Sequence, residues 1–163
     1  VKTILRQYMT NTRNGGQIVS CWNEPLEADH EPLIRVHDVL VKIQPVTDHE
    51  MRSAPGETSA TVAARVAAAR KAQAERQLRL NARLGPHAIR RHCTVDETTQ
   101  RMFNTLFSCA QDRLGLRTQD SQRILTVART IADLHGKSRL QPGHLAEAIQ
   151  YSPRNQLKFR DTP

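Results

Sequence analysis

Aromatic residues make up only 4% of this 163-residue chain, and hydrophobic residues of all kinds 38%. So thin an apolar supply suits small helical units with interiors of Leu, Ile, Val and Ala better than one large compact core. No run of about 18 apolar residues occurs, so no helical membrane span and no membrane partner are expected. No basic-then-apolar leader stands at the start. Cysteine is scarce too. Cys21, Cys93 and Cys109 are odd in number and widely spaced, which argues against a disulfide framework and for a reducing compartment, and so for a cytoplasmic protein. The first residue is Val1 rather than Met, which fits a partial sequence.

What the chain has in excess is positive charge, +8 in all, unevenly placed. Residues 1–51 carry 5 basic and 7 acidic side chains, residues 52–92 carry 9 and 2, and residues 93–163 carry 10 and 7. Basicity concentrated in the middle segment points to a polyanionic partner or to a solvated helix face.

The pattern along the chain changes near Pro55. Before it, Gln17 to Trp22 and Val36 to Ile43 read as short strands, and Arg13-Asn14-Gly15-Gly16 and Glu24 to Glu31 as turn and loop. A strand as isolated as Val36–Ile43 is not stable alone. After a linker over residues 47–57, the Ala- and Arg-rich stretch from Ser59 predicts a helix to about Leu80, with Val62, Val66, Ala69 and Gln73 at helical spacing. Gly85-Pro86 breaks it, and Ala88 to His92 forms one short turn. Thr94 and Glu97 match a capping box for a helix carrying Met102, Phe103, Leu106, Phe107, Ala110 and Leu114 on one stripe, with Gly115 as its stop. The next helix starts near Thr118, turns Ile124, Leu125, Ala128, Ile131 and Ala132 inward, and stops at Gly136. Pro142 opens a last helix that buries Leu145, Ala148 and Ile149. The fold class expected is therefore mainly α. A helical bundle over residues 55–151 follows a short irregular, strand-containing segment over 1–54, loosely packed, and precedes a polar tail over 152–163.

Gly136-Lys137-Ser138 is a fragment of a phosphate-loop motif without its context. The glycine required five residues earlier is Ile131, and the motif ends a helix instead of opening one. No apolar strand ends in Asp-Glu to hold magnesium. His87, His92 and Cys93 lie close together but lack the paired ligands that zinc requires, so no metal site is assigned. No catalytic residue is assigned either. If the long helix continues to Arg83, then Arg65, Arg76, Arg79 and Arg83 share one ridge, a candidate surface for DNA phosphates. With few aromatics for base stacking, binding there would be nonspecific.

Taken in order, Pro55-Gly56-Glu57-Thr58-Ser59-Ala60, Leu80-Asn81-Ala82-Arg83-Leu84, Ile89-Arg90-Arg91-His92-Cys93, Arg113-Leu114-Gly115-Leu116, Val127 to Leu134 and His144 to Tyr151 resemble the C-terminal domain of magnesium-chelatase-like AAA+ ATPases of the competence protein M type. The resemblance covers about residues 32–151. It implies a helical lid over a nucleotide held by a preceding α/β core, in a ring of usually six subunits linked to DNA branch migration during natural transformation. ATP and magnesium are then cofactors of the full-length family, none of this chain, which is not an enzyme alone. Residues 1–54 would be the remnant end of that core. Two positions depart from the family. Val36 stands where an arginine acting on the neighbour's ATP is expected, with Arg35 one place early, and Gln119 stands at the lid's nucleotide-sensing arginine. Arg123 and Arg129 do match family arginines, and Gln119 and Arg123 become the nucleotide-sensing candidates. Other readings of the same residues are a free-standing basic DNA-binding module and a degenerate remnant.

Overall fold

The structure, a computed structural model, describes residues 19–21, 31–34, 36–52, 56–153 and 155. Five helices dominate them: α1 (Ser59–Gln77), α2 (Pro86–His92), α3 (Glu97–Leu114), α4 (Thr118–Leu134) and α5 (Pro142–Gln150). A 3-10 turn, Asn81–Arg83, joins α1 to α2, and single helical turns occupy Glu31–Ile34 and Asp48–Met51. The mainly helical class is as the sequence implies.

Helix α4 is the axis of the bundle. It packs against α5, α1, α2 and the 3-10 turn, while α3 packs on α5. The reason is its stripe. Ile124, Ala128, Ile131 and Ala132 recur at the spacing of one helix face and are buried together with Ile89, Phe103, Ala110, Leu140, Leu145 and Ala148. Leu140 and Leu145 are essentially inaccessible, and each contributes roughly 1.5–3 kcal/mol by leaving water. The Phe103 and Phe107 rings stack with centroids 5.6 Å apart. Small residues on α4 let the neighbouring helices come close, which is how a core with so few aromatics closes.

Helix ends follow local chemistry. The Thr58 hydroxyl caps α1 by accepting from the Thr61 N–H at 3.2 Å. Helix α3 is capped by Asp96 and not by Thr94 as its sequence suggests. The Asp96 carboxylate accepts from the Thr99 N–H at 2.7 Å and from its hydroxyl at 3.1 Å, and an ionised acceptor outcompetes a hydroxyl two residues earlier. Gly115 ends α3 at φ 60°. Gly136, at φ 65°, closes α4 as a Schellman turn: its N–H donates to the Asp133 carbonyl at 3.1 Å and that of Lys137 to the Ala132 carbonyl at 2.8 Å.

Two expectations fail. Helix α1 does not reach Leu80 or Arg83. It ends at Gln77 because Leu78 turns left-handed, φ 56°, with its N–H returned to the Ala74 carbonyl. Only Ala69 and Gln73 of α1 are buried, so its C-terminal half meets α4 and its first turns stand clear. The stretch Val36–Ile43 is not a strand: no strand occurs among the described residues. Val41 and Ile43 are exposed; the Leu40 N–H donates to the Tyr151 carbonyl at 2.9 Å, a single bond where a strand would make a ladder. The other candidate strand, Gln17–Trp22, lies mostly outside the described residues. The described part of the segment before Pro55 is anchored at Ile34, which is fully buried. The tail after 151 starts folded as well, with Ser152 buried.

Candidate functional site at the start of α4

The first turns of α4 line a cleft of about 160 Å³. Gln119 and Arg123, four residues apart and so on one helix face, meet Arg117 and Asp120 there. Ile124 and Ala148 form its apolar wall, Ser152 and Pro153 its far side, and Asp38 reaches in from the N-terminal segment. Both nucleotide-sensing candidates thus share one cavity. Asp38, Arg117 and Asp120 join them unforeseen. Asp120 fixes the start of the helix, accepting from the Arg117 N–H at 2.6 Å. The Asp38 carboxylate lies 3.6 Å from the Arg123 guanidinium. Two cations and two anions face one another over the N-terminal end of a helix, where backbone N–H groups favour negative charge.

A second polar group is buried at the other end of α4. Asp133 accepts from Arg76 Nη1 at 2.7 Å and Nη2 at 2.9 Å, from Arg129 Nε at 3.1 Å and from Asn81 Nδ2 at 2.8 Å. Arg129 is completely buried and also donates to the carbonyls of Lys137 and Ser138. Asn81 in turn donates to Thr130 at 3.1 Å and takes the Gln73 side chain on its own N–H at 3.0 Å. Every buried side-chain polar atom among the described residues has a partner. Burial alone would raise the Asp133 pKa, but the hydrogen bonds of Arg76 and Asn81 and the charges of Arg129 and Arg76 hold it below the usual carboxylate value. The cluster locks the end of α1, the 3-10 turn and the Lys137–Ser138 loop onto α4. Its sequence signal is a charged pair, Arg129 and Asp133, at a four-residue spacing beside an apolar stripe.

This lock explains Gly136-Lys137-Ser138. The N–H groups of Gly136 and Lys137 are spent on the helix end, and the carbonyls of Lys137 and Ser138 face a guanidinium. A phosphate cradle has the opposite polarity.

The four-arginine ridge is not formed, because the helical continuation it depends on is absent. Arg65 pairs with Glu57 on the exposed side of α1, Nη2 to Oε2 at 2.7 Å. Arg76 turns inward to Asp133. Arg79 and Arg83 lie beyond the left-handed Leu78, Arg79 exposed and Arg83 in the 3-10 turn. Of the His87, His92 and Cys93 group, Cys93 is buried, its thiol donates to the Leu125 carbonyl at 3.7 Å, and burial pushes its pKa up to about 11.

Residues 56–152 match the sequence model of a family described as magnesium chelatase, subunit ChlI C-terminal. The chain is 44% identical over 98 residues to the protein YifB of Escherichia coli strain K12, covering 60% of this chain and 18% of that one. It is 40% identical over 96 residues to the competence protein ComM of Haemophilus influenzae, covering 59% of this chain and 18% of the relative. The matched region therefore spans about a fifth of the length of these curated relatives.

Proposed function

The chain belongs to the magnesium chelatase subunit ChlI C-terminal family, and we propose that its bundle is the helical lid of a longer magnesium-chelatase-like AAA+ ATPase, not catalytic by itself. In this reading the preceding core domain holds ATP and magnesium, the lid closes over the nucleotide, and neighbouring subunits complete a ring. In our proposal the parent protein acts in DNA processing, with branch migration during natural transformation as its task and DNA as its partner; the competence name of the Haemophilus relative supports this reading.

The observation that carries this reading is the convergence of Gln119 and Arg123 with Arg117 on one cleft at the N-terminal end of α4. Guanidinium groups there can reach phosphate oxygens with paired hydrogen bonds, and the helix end adds its own positive potential. Gln119 offers an amide in place of a cation, so Arg123 and Arg117 supply the charge. One rim of a phosphate site is not a whole one. Calorimetric titration of magnesium-ATP into the isolated chain is expected to show no binding tighter than about millimolar, and no phosphate release. A micromolar isotherm would contradict the proposal.

A further inference from the structure

Asp38 lines the same cleft as Arg117, Gln119 and Arg123, and the segment that carries it is fastened on both sides. Upstream, the His37 N–H donates to the Ile34 carbonyl at 3.1 Å, and Ile34 is fully buried. Downstream, the Leu40 N–H donates to the Tyr151 carbonyl at 2.9 Å, directly after α5. Between these anchors Asp38 is held with Oδ1 3.6 Å from Arg123 Nε, the two side chains 64% and 44% exposed. The other carboxylate of the cleft, Asp120, is engaged by the Arg117 backbone. Asp38 is thus an acid set against a guanidinium that a phosphate would use.

We propose that Asp38 is an internal competitor for the cleft: its carboxylate holds Arg123 until the phosphate group of an entering ligand displaces it. This rests on the reading of the cleft given above and adds a regulation of the same site. Carboxylate and phosphate oxygens both attract a guanidinium, but at 3.6 Å the Asp38 contact is an ion pair without a hydrogen bond, whereas a polyphosphate brings more charge and can make charge-assisted hydrogen bonds. An ion pair this open to solvent is weak, so displacement is easy and reversible. The segment 36–40 then senses whether the cleft is filled, because losing the Arg123 contact removes one of its tethers, while its backbone bonds and the hydrogen bond of His37 Nε2 with Ser20 Oγ at 3.0 Å stay in place.

The test is a chemical-shift titration of the chain with inorganic tripolyphosphate, with metal-free ATP and with a duplex oligonucleotide. Asp38→Asn should tighten tripolyphosphate and ATP about fivefold, the ratio to which about 1 kcal/mol corresponds. Equal gains for both would assign the effect to the phosphate chain, and a larger gain for ATP to the nucleotide as a whole. Leu40→Pro removes the anchoring N–H without changing charge and should shift affinity in the same direction. Adding Arg123→Gln to Asp38→Asn should abolish the gain. Unchanged polyphosphate affinity in Asp38→Asn would overturn the proposal, and so would a gain that survives Arg123→Gln or one confined to the oligonucleotide. If Leu40→Pro unfolds by circular dichroism, the Asp38 and Arg123 variants still decide. Absence of any shift in all variants would also overturn the competitor role, whereas the lid reading is decided separately on the longer protein.

Discussion

Arg76 and Asp133, 57 residues apart in sequence, meet in a two-point ion pair, Nη1 to Oδ1 at 2.7 Å and Nη2 to Oδ2 at 2.9 Å. That pair fixes the end of α1 on α4. Arg76 is therefore a structural residue first, whatever anion the neighbouring arginines meet. Asp133→Ala should cost about 3–5 kcal/mol in urea unfolding, since it strands a fully buried Arg129. Arg76→Gln should cost about 1–3 kcal/mol. Arg65→Gln, which removes only an exposed pair, should leave the unfolding midpoint where it is. Equal effects of the Arg65 and Arg76 substitutions would refute the lock.

The acid side of the stability profile should have two steps. His144 is buried, and its Nδ1 accepts from the Gln141 N–H at 3.1 Å. Burial, then the charges of His135 and Arg129, lower its pKa from the ordinary 6.5. The native state thus favours the neutral ring while the unfolded state takes up a proton near pH 6.5. Stability is fully present above that pH and is lost as pH falls below it towards the lowered native value. Asp133, also lowered, from 3.8, adds a loss that begins only below about pH 4. Melting temperatures recorded from pH 7.5 to 3 should fall in both windows, and His144→Gln should flatten the upper one. A flat profile between pH 7 and 5 in the parent chain would contradict the assignment.

Leu78 sits in the left-handed region at φ 56° with 89% of its surface exposed. Its side chain gains little from packing, while the backbone conformation costs roughly 1–2 kcal/mol for a residue with a Cβ. Leu78→Gly removes that cost and gives back part of it as unfolded-chain entropy. A net gain of about 0.5–1 kcal/mol is expected, and Leu78→Val should do the reverse. Destabilisation by glycine would show that Leu78 contributes a contact that the exposed side chain does not reveal.

Much of the bundle was legible because its signals are local. The stripe from Ile124 to Ala132 and the stops at Gly115 and Gly136 follow from spacing and from glycine's freedom of φ. The cleft was half legible: the family resemblance singles out Gln119 and Arg123, and the structure puts both on its wall, whereas Asp38 arrives through the fold of a segment with no periodicity. The end of α1 was not legible, since leucine gives no sign of a left-handed turn. Nor was the cap of α3, where Thr94 and Asp96 are both plausible acceptors and only the geometry selects the carboxylate. The Arg76–Asp133 pair was hidden for a further reason. On a helical wheel Arg76 reads as a surface cation, and its partner lies on another helix.

The most direct test of the lid reading is magnesium-ATP affinity in a longer protein that carries the region preceding this chain. With Arg123→Gln, the dissociation constant should rise about tenfold, as expected for loss of one charge-assisted phosphate contact, while the melting temperature of the bundle stays the same. An unchanged dissociation constant in a folded Arg123→Gln protein would mean that the cleft at the start of α4 does not face the nucleotide.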